Sequence, residues 1–533
     1  MRVPARLSLP VRLLPLCAAL VGPPAAADTV DARFPREPRH ADSVFMRMFP
    51  ELPPFAPQSD AARAAAARLG AKDGPLDARD DLSDPVRSIT EPATFSPRNA
   101  DNPAMTAGMT FFGQFLDHDI TFDRRSPLTA NADPARTRNF RTAAFDLDSV
   151  YGEGPERSPE LYDTMDGDIK FRLDPIPGSR AVSRGGVQRY DLPRDLHGDA
   201  LVGDSRNDEN AILSQLHVAL LRFHNAVVDR LRAQPEHAGA TSRQLFELAR
   251  RSVTWHYQWC IVHEFLPLTI GASRVERLLA EGNRYYRPER RRDAGGHPLL
   301  PIEFSVAAYR FGHSQIRPSY RLNFGPDGGT PFFAFLFDDT LDPNRDDPGD
   351  LRGGKRAARR FVDWQTFFDF GDGSVRPNKR IDTRLSTPVL MLPGSLAPSP
   401  GLPSDGMQSL PARNLIRHVN FGLPSGQAVA ARMGIAPLAA AELADLEPYG
   451  MAGSTPLWFY ILREAERRER GLRLGPVGAR IVGEVFLGLL RADRSSYLSA
   501  APGWTPDLPS TVGAGRFRIA DLLRLAGVVV PAQ

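Results

Sequence analysis

Gly113-Gln114-Phe115-Leu116-Asp117-His118-Asp119 sets an amide, two carboxylates and an imidazole inside the apolar run Met109 to Phe122. Wound as a helix, Gln114, Asp117 and His118 fall at i, i+3 and i+4 and share one wall, while Asp119 points well away from it. Such groups are costly to bury on a greasy helix without partners. An imidazole that titrates near neutrality can take a proton and return it within one reaction. Taken alone, the pattern also fits a core histidine with flanking surface acids, so other segments must separate the two readings.

Further segments offer partners. Thr142 to Gly152 (TAAFDLDSVYG) alternates oxygen-bearing groups in a short irregular stretch, as a hard cation requires, although a plain Asp-rich turn has the same D-x-D spacing. Gly203-Asp204-Ser205-Arg206-Asn207-Asp208-Glu209 places a guanidinium three residues before a carboxylate, a pairing equally common on a solvated helix face. Ala307 to His313 is an apolar helical segment with Arg310 and His313 at i, i+3. Asn414 to Pro424 (NLIRHVNFGLP) adds an asparagine, an arginine and a histidine.

Helices must position these groups. Apolar spacing predicts them over about 109–122, 207–232, 242–266 and 456–492, the last split by Gly471 to Pro476. Ser205 is expected to cap the second of these, with Asp208 completing a variant capping box. Residues 28–105, rich in Pro, Ala and Asp with a short helix at Ala61 to Leu69, read as an arm ahead of the main domain. The Gly- and Pro-rich region Gly325 to Pro411 reads as surface loops. The tail helices show packing and no chemistry, and no internal repeat, P-loop, GxGxxG or CxxC occurs.

The 533 residues are 42% apolar and 24% charged, ordinary for a globular protein, and suffice for roughly three domains on length alone. A net charge of +3 is too balanced to indicate nucleic acid. Arg2, Arg6 and Arg12, the apolar Leu13 to Val21 and Ala25-Ala26-Ala27 before Asp28 form a secretory signal. That apolar core is too short to span a bilayer, and no later stretch is expected to do so. Cleavage would remove Cys17 and leave Cys260 alone, so the mature chain would hold no internal disulfide.

In this order the segments resemble the animal-type haem peroxidases, the peroxidase–cyclooxygenase superfamily, in a bacterial exported form. The likeness rests on GQFLDHD, T-x-x-x-D-x-D-S-V-Y-G, GDSRNDEN with LLRFHN, YRFGH and ARNLIRHVNFGLP, between about Met105 and Pro424, and on TPLWFYILREAE and LGPVGARIV in the tail. It implies a mainly α fold: one large haem-peroxidase domain of the myeloperoxidase-like type with few short strands. That domain would span 106–533, after a signal peptide at 1–27 and an arm at 28–105. The implied activity is oxidation of small donors (halide, pseudohalide or organic) by hydrogen peroxide through a ferryl intermediate, as in a response to oxidative stress. The implied setting is periplasmic or secreted, without nucleic acid or stable membrane insertion; the oligomeric state is not legible.

Carried over by position, the resemblance makes His118 the distal histidine, Gln114 the distal glutamine and Arg206 the distal arginine. His313 becomes the ligand to haem iron and Asn414 the partner of its imidazole, accepting through the side-chain carbonyl. Asp117 and Glu209 match carboxylates that form ester links to haem b, with Arg310 beside them in the cofactor-binding set. Asp119, Thr142, Ala144 through its carbonyl, Asp146 and Asp148 match a calcium site. Asn210 stands where myeloperoxidase-like members carry the methionine of a third, sulfonium link, and Asp148 where they carry serine. Fatty-acid dioxygenases of the superfamily place a radical-forming tyrosine three residues before the proximal histidine; here that position is Arg310, with Tyr309 one step off on a different helical face. An inactive exported haem-binding or adhesion protein is the other alternative, and retention of both His118 and Arg206 argues against it.

Overall fold

Apolar residues recurring every three or four positions wind into Gly108–Ile120, Ala211–Arg232, Ser242–Cys260, Leu410–Asn420, Leu457–Glu469 and Pro476–Ala492. The computed structural model describes residues 43–530 except 124–125, 168, 343–346, 355 and 394–406. The signal segment 1–27 and Cys17 therefore lie outside the described residues. The described strands form two-stranded pairs only, among them Phe45–Met46 with Leu300–Pro301 and Asp101–Thr106 with Pro377–Lys379. The fold is mainly α with few short strands, and one hydrophobic core runs through it as a single large domain.

Sequence periodicity misjudged several stretches. The helix expected over 207–232 is broken at Glu209-Asn210. Asp204, not Ser205, caps a 3₁₀ turn at Ser205–Asp208, and Asn210, extended at φ −143°, caps the long helix by accepting from Leu213 N–H. The cause is tertiary. Gly353 N–H donates to Glu209 C=O and Ala211 N–H to Leu351 C=O, so the backbone at the break bonds sideways. Gly353 is required there, since a Cβ would lie 1.5 Å from Asp208 O. The helix expected over 242–266 narrows to Ser242–Cys260, then widens into a π turn at Ile261–Phe265. The segment around His313 is a 3₁₀ helix, Ala308–Gln315, following a π turn at Glu303–Ala307.

Region 325–411 is not merely surface loop. Phe332–Phe335 pairs with Ser319–Asn323, and Phe361, Trp364, Phe367, Leu385 and Val389 are buried in the core. Ala211–Arg232 also corrects the reading that no stretch could span a bilayer: it is long and apolar enough, but 83% of its apolar window is buried within the fold. It is a core helix. The arm residues from 43 onward pack on this core, with Met48 and Phe49 N–H both donating to the buried carboxylate of Glu303. Helix Asp60–Leu69 lies on Leu410–Asn420. Cys260 is buried and unpaired.

Candidate active site

Helix Gly108–Ile120 packs between Ala211–Arg232 and the 3₁₀ helix Ala308–Gln315. Against them lies a cavity of about 520 Å³ lined by Gln114, Asp117, His118, Arg206, Glu209, His313 and Asn414. The residues predicted for catalysis and cofactor binding, Arg310 included, thus line one space, though they come from four elements.

His118 is buried, and its Nδ1–H donates to Asn207 Oδ1 at 3.0 Å. The same amide donates through Nδ2 to His217 Nδ1 at 3.1 Å. Held at both ends, the amide fixes the His118 tautomer and leaves Nε2 as the basic nitrogen, 3.8 Å from Glu209 Oε1. Burial, reinforced by the positive charge of Arg206, lowers the His118 pKa to about 4. Gln114 Nε2 donates to Glu209 Oε1, and Asn210 Nδ2 donates to Gln114 Oε1 at 3.4 Å. Burial raises the Glu209 carboxyl to about 7.

Arg206 donates to Asp204 through Nε at 3.0 Å and Nη2 at 2.8 Å, and to the His118 and Thr121 carbonyls. Its guanidinium lies 4.1 Å over the Phe122 ring. Burial alone would raise Asp204, but Arg206 and Arg141 outweigh it and hold the carboxyl far below its ordinary range.

On the 3₁₀ helix Ala308–Gln315, burial and the Arg310 charge lower His313 to about 3. Its Nδ1 faces Asn414 Nδ2 at 2.8 Å, the reverse of the carbonyl-to-Nδ1 contact expected. A half-turn of the amide exchanges the two atoms and makes Nδ1–H the donor. Arg310 Nη1 reaches across to Asp117 Oδ2 at 3.1 Å, and the Tyr309 hydroxyl donates to Gly113 O at 3.0 Å. Tyr309 therefore lines the cavity too, despite sitting one position from Arg310.

Asp119 does turn away from this cavity. Its carboxylate accepts from Leu147 N–H, Ser149 Oγ and Tyr257 OH, and its oxygens gather with those of Asp146 and Asp148 within 4.8 Å of one another. Burial and the Asp148 charge raise Asp119 to about 8, and burial raises Asp146 well above its ordinary value. Thr142 Oγ1 is buried without a partner and Ala144 is buried beside it in the chain. Like charges crowded with an unsatisfied hydroxyl fit a hard divalent cation. Arg141 Nη1 pairs with Asp148 at 3.0 Å and its Nε with Asp204 at 3.2 Å.

Haem, the group the resemblance implies, also fits. The cavity is lined by two histidines carried on separate elements, His118 and His313, and by apolar residues including Phe265, Val306 and Leu336. Three carboxyls, of Asp117, Asp123 and Glu209, and the guanidiniums of Arg206, Arg310, Arg413 and Arg417 stand along it. Sequence reasoning missed Asn207, Arg141, Asp204 and Tyr257. Asn207 and Asp204 were in view as neighbours of Arg206, but nothing local paired them with residues tens of positions away.

Residues 122–331 match the family model of the animal haem peroxidases. Human thyroid peroxidase is 26% identical over 203 residues, 36% of this chain and 21% of that protein. A peroxidase-like protein of Margaritifera margaritifera is 26% identical over 470 residues, 74% of this chain and 55% of that one. The chorion peroxidase of Aedes aegypti is 31% identical over 228 residues, 39% and 26% respectively. The match thus spans from about a fifth to about half of these relatives' length. Among solved structures, peroxidase A of Dictyostelium discoideum superposes with a TM-score of 0.52 at 17% identity, covering 87% of this chain and 88% of that one. The Oryza sativa fatty acid alpha-dioxygenase gives 0.53 at 16% identity, with coverage of 85% and 76%. These two establish the shared fold. The family model runs through the acidic loop at 142–148, Arg206 and His313, so this part of the chain is similar to the animal haem peroxidase domain.

Proposed function

We propose that this protein is an exported haem peroxidase that uses hydrogen peroxide to oxidise small donors, halide, pseudohalide or organic. The observation that carries the reading is His118, its tautomer fixed by Asn207, lining one cavity together with His313 and Arg206. Haem bound there would supply a redox-active iron, held by His313 through Nε2 once Asn414 turns its carbonyl to Nδ1–H. His118 Nε2, unprotonated at neutral pH, takes the proton from one peroxide oxygen and returns it to the other. Arg206, clamped by Asp204, presents fixed positive charge to the departing oxygen, and Gln114 orients Glu209.

Asp117 and Glu209 would hold the haem covalently, as the two carboxylates available for ester links to it. Asn210 forms no third link. Asp119, Thr142, Ala144, Asp146 and Asp148 are assigned to calcium. Residues 1–27 are assigned to export and 28–105 to an arm on the peroxidase domain.

The optical spectrum of the purified protein, with and without peroxide and then with a donor panel, tests the reading. A haem spectrum that peroxide changes and donors restore supports it; a spectrum indifferent to peroxide sinks it and favours a haem-binding or adhesion role. Tyr309, in the cavity wall with its hydroxyl held by Gly113, favours one second reading, a fatty-acid dioxygenase with a displaced tyrosine. Oxygen uptake with a fatty acid would mark that activity.

A further inference from the structure

Away from the histidine cavity, a surface pocket of about 490 Å³ is lined by Arg98, Arg380, Arg384 and Arg470, with Asp382, Glu466, Ala100 and Gly471. Most arginines elsewhere on the surface that face acids are paired to them, as in Arg87–Glu91, Arg359–Asp347 and Arg432–Glu51. Here the acids are satisfied from outside the pocket. Asp382 accepts from Lys379 Nζ at 2.8 Å, and Glu466 lies 3.4 Å from Arg463 Nε, neither cation being part of the lining. The side chains of Arg98 and Arg470 have no hydrogen bond or ion pair among the described residues. The pocket therefore keeps an excess of positive charge that the fold does not neutralise.

Its backbone is also held against preference. Arg470 ends helix Leu457–Glu469 in the left-handed region, at φ 54° and ψ 26°, a conformation natural to glycine and unfavourable for an arginine. Gly471 follows at φ 73°, and a Cβ there would lie 2.8 Å from Arg380 Cβ, so the glycine is what brings Arg380 against this corner. Ile381 N–H donates to Gly471 O at 2.8 Å and locks the approach. A strained arginine is kept at a position where glycine would relax the chain. It opens onto Arg98 and onto Arg380 and Arg384, whose guanidiniums reach only the carbonyls of Asp101 and Pro75 and meet no carboxylate among the described residues.

We propose that this pocket binds a multiply charged oxyanion, a phosphate or sulfate group, through the guanidiniums of Arg98, Arg380, Arg384 and Arg470. Guanidinium forks match the oxygens of such groups in pairs. The group can be a free ion or an ester on a larger molecule, and the test separates the two.

The test uses the full-length holoprotein without added calcium, melted at constant ionic strength set by chloride, with inorganic phosphate in one arm and sucrose octasulfate in the other. Either ligand, at about 100 times its Kd, should raise Tm by about 3 °C. A rise with phosphate assigns a free ion; a rise with the octasulfate alone assigns a polyvalent ester. Arg98→Ala and Arg470→Gly should each abolish the rise, and Arg470→Gly alone should melt above the parent without ligand. Peroxidase activity should be unchanged in both variants. No rise in the parent, or a rise that persists in both variants, overturns the site, and an Arg470→Gly protein that melts below the parent overturns the strain on which it rests.

Discussion

The basicity of His118 at its cavity-facing nitrogen is set by one amide, Asn207, and its low pKa by burial and by Arg206. His118→Ala should keep haem and lose about 10²–10⁴-fold in peroxide turnover, whereas His313→Ala should lose stable iron ligation, read from the Soret band. The acid limb of kcat/KM for peroxide should lie near pH 4, where His118 takes up its proton and ceases to be a base. Arg206 disfavours that proton, so Arg206→Gln should move the limb to higher pH as well as lower the rate; a limb that stays in place would show that the charge does not reach the imidazole. Haem that extracts fully into acid–butanone after peroxide turnover would rule out the ester links of Asp117 and Glu209. At this scale the sequence was most legible where spacing alone suffices, as for Gln114, Asp117 and His118 on one helix face. Asn207 escaped because its partner lies 89 residues away, and the Asn414 amide because nothing in a sequence tells oxygen from nitrogen.

Between elements, Arg141 is the connection. It joins Asp148 in the cation loop to Asp204, which clamps Arg206 beside His118. The Asp148 carboxylate is thus balanced by a buried guanidinium, a pairing that no local sequence pattern reveals. Arg141→Met should leave Asp148 and Asp204 without their shared counter-charge and cost about 3–5 kcal/mol, measured by urea unfolding of the holoprotein. Chelation of the cation should lower peroxide activity and loosen helix Gly108–Ile120, followed by hydrogen exchange at its amides; metal loss with both unchanged would separate the loop from catalysis. Helix identity was readable from periodicity, but the break at Glu209-Asn210 was not. The leucines keep helical spacing beyond it, while the backbone bonds that cause it come from 351–353. The Pro- and Gly-rich 325–411 misled in the opposite sense, since turn residues there lead buried aromatics such as Trp364 into the core.

For the whole molecule, acid stability follows from groups remote from the cavity. Burial lowers His217, His224 and His418 to about 4 each, against an ordinary value near 6.5. The unfolded chain therefore binds protons that the folded chain refuses, so their contribution is present above about pH 6.5 and is lost as pH falls toward 4. Burial raises Glu264 and Glu464 to about 7, and they act in the opposite sense over much of the same window, their contribution being lost as pH rises toward 7. The histidines' share of the stability is the part that acidification removes. His224→Gln should flatten the slope of unfolding free energy against pH between 4 and 6.5 by about one proton, a difference of about 3 kcal/mol across the window. The hold of the arm on the body has a further consequence, for biosynthesis. Phe55 N–H donates to Leu423 O, Arg47 to the carbonyls of Phe421 and Gly422, and Leu385 N–H to Leu76 O. The ribosome delivers Phe55 and Arg47 early and their partners at 421–423 only after a wait of roughly 20–75 s at ordinary elongation rates. Throughout that interval this part of the arm has nowhere to go but a chaperone or another nascent chain. A polypeptide released before residue 423 never acquires the seat, and such fragments should be recovered as aggregates, not as smaller folded peroxidases.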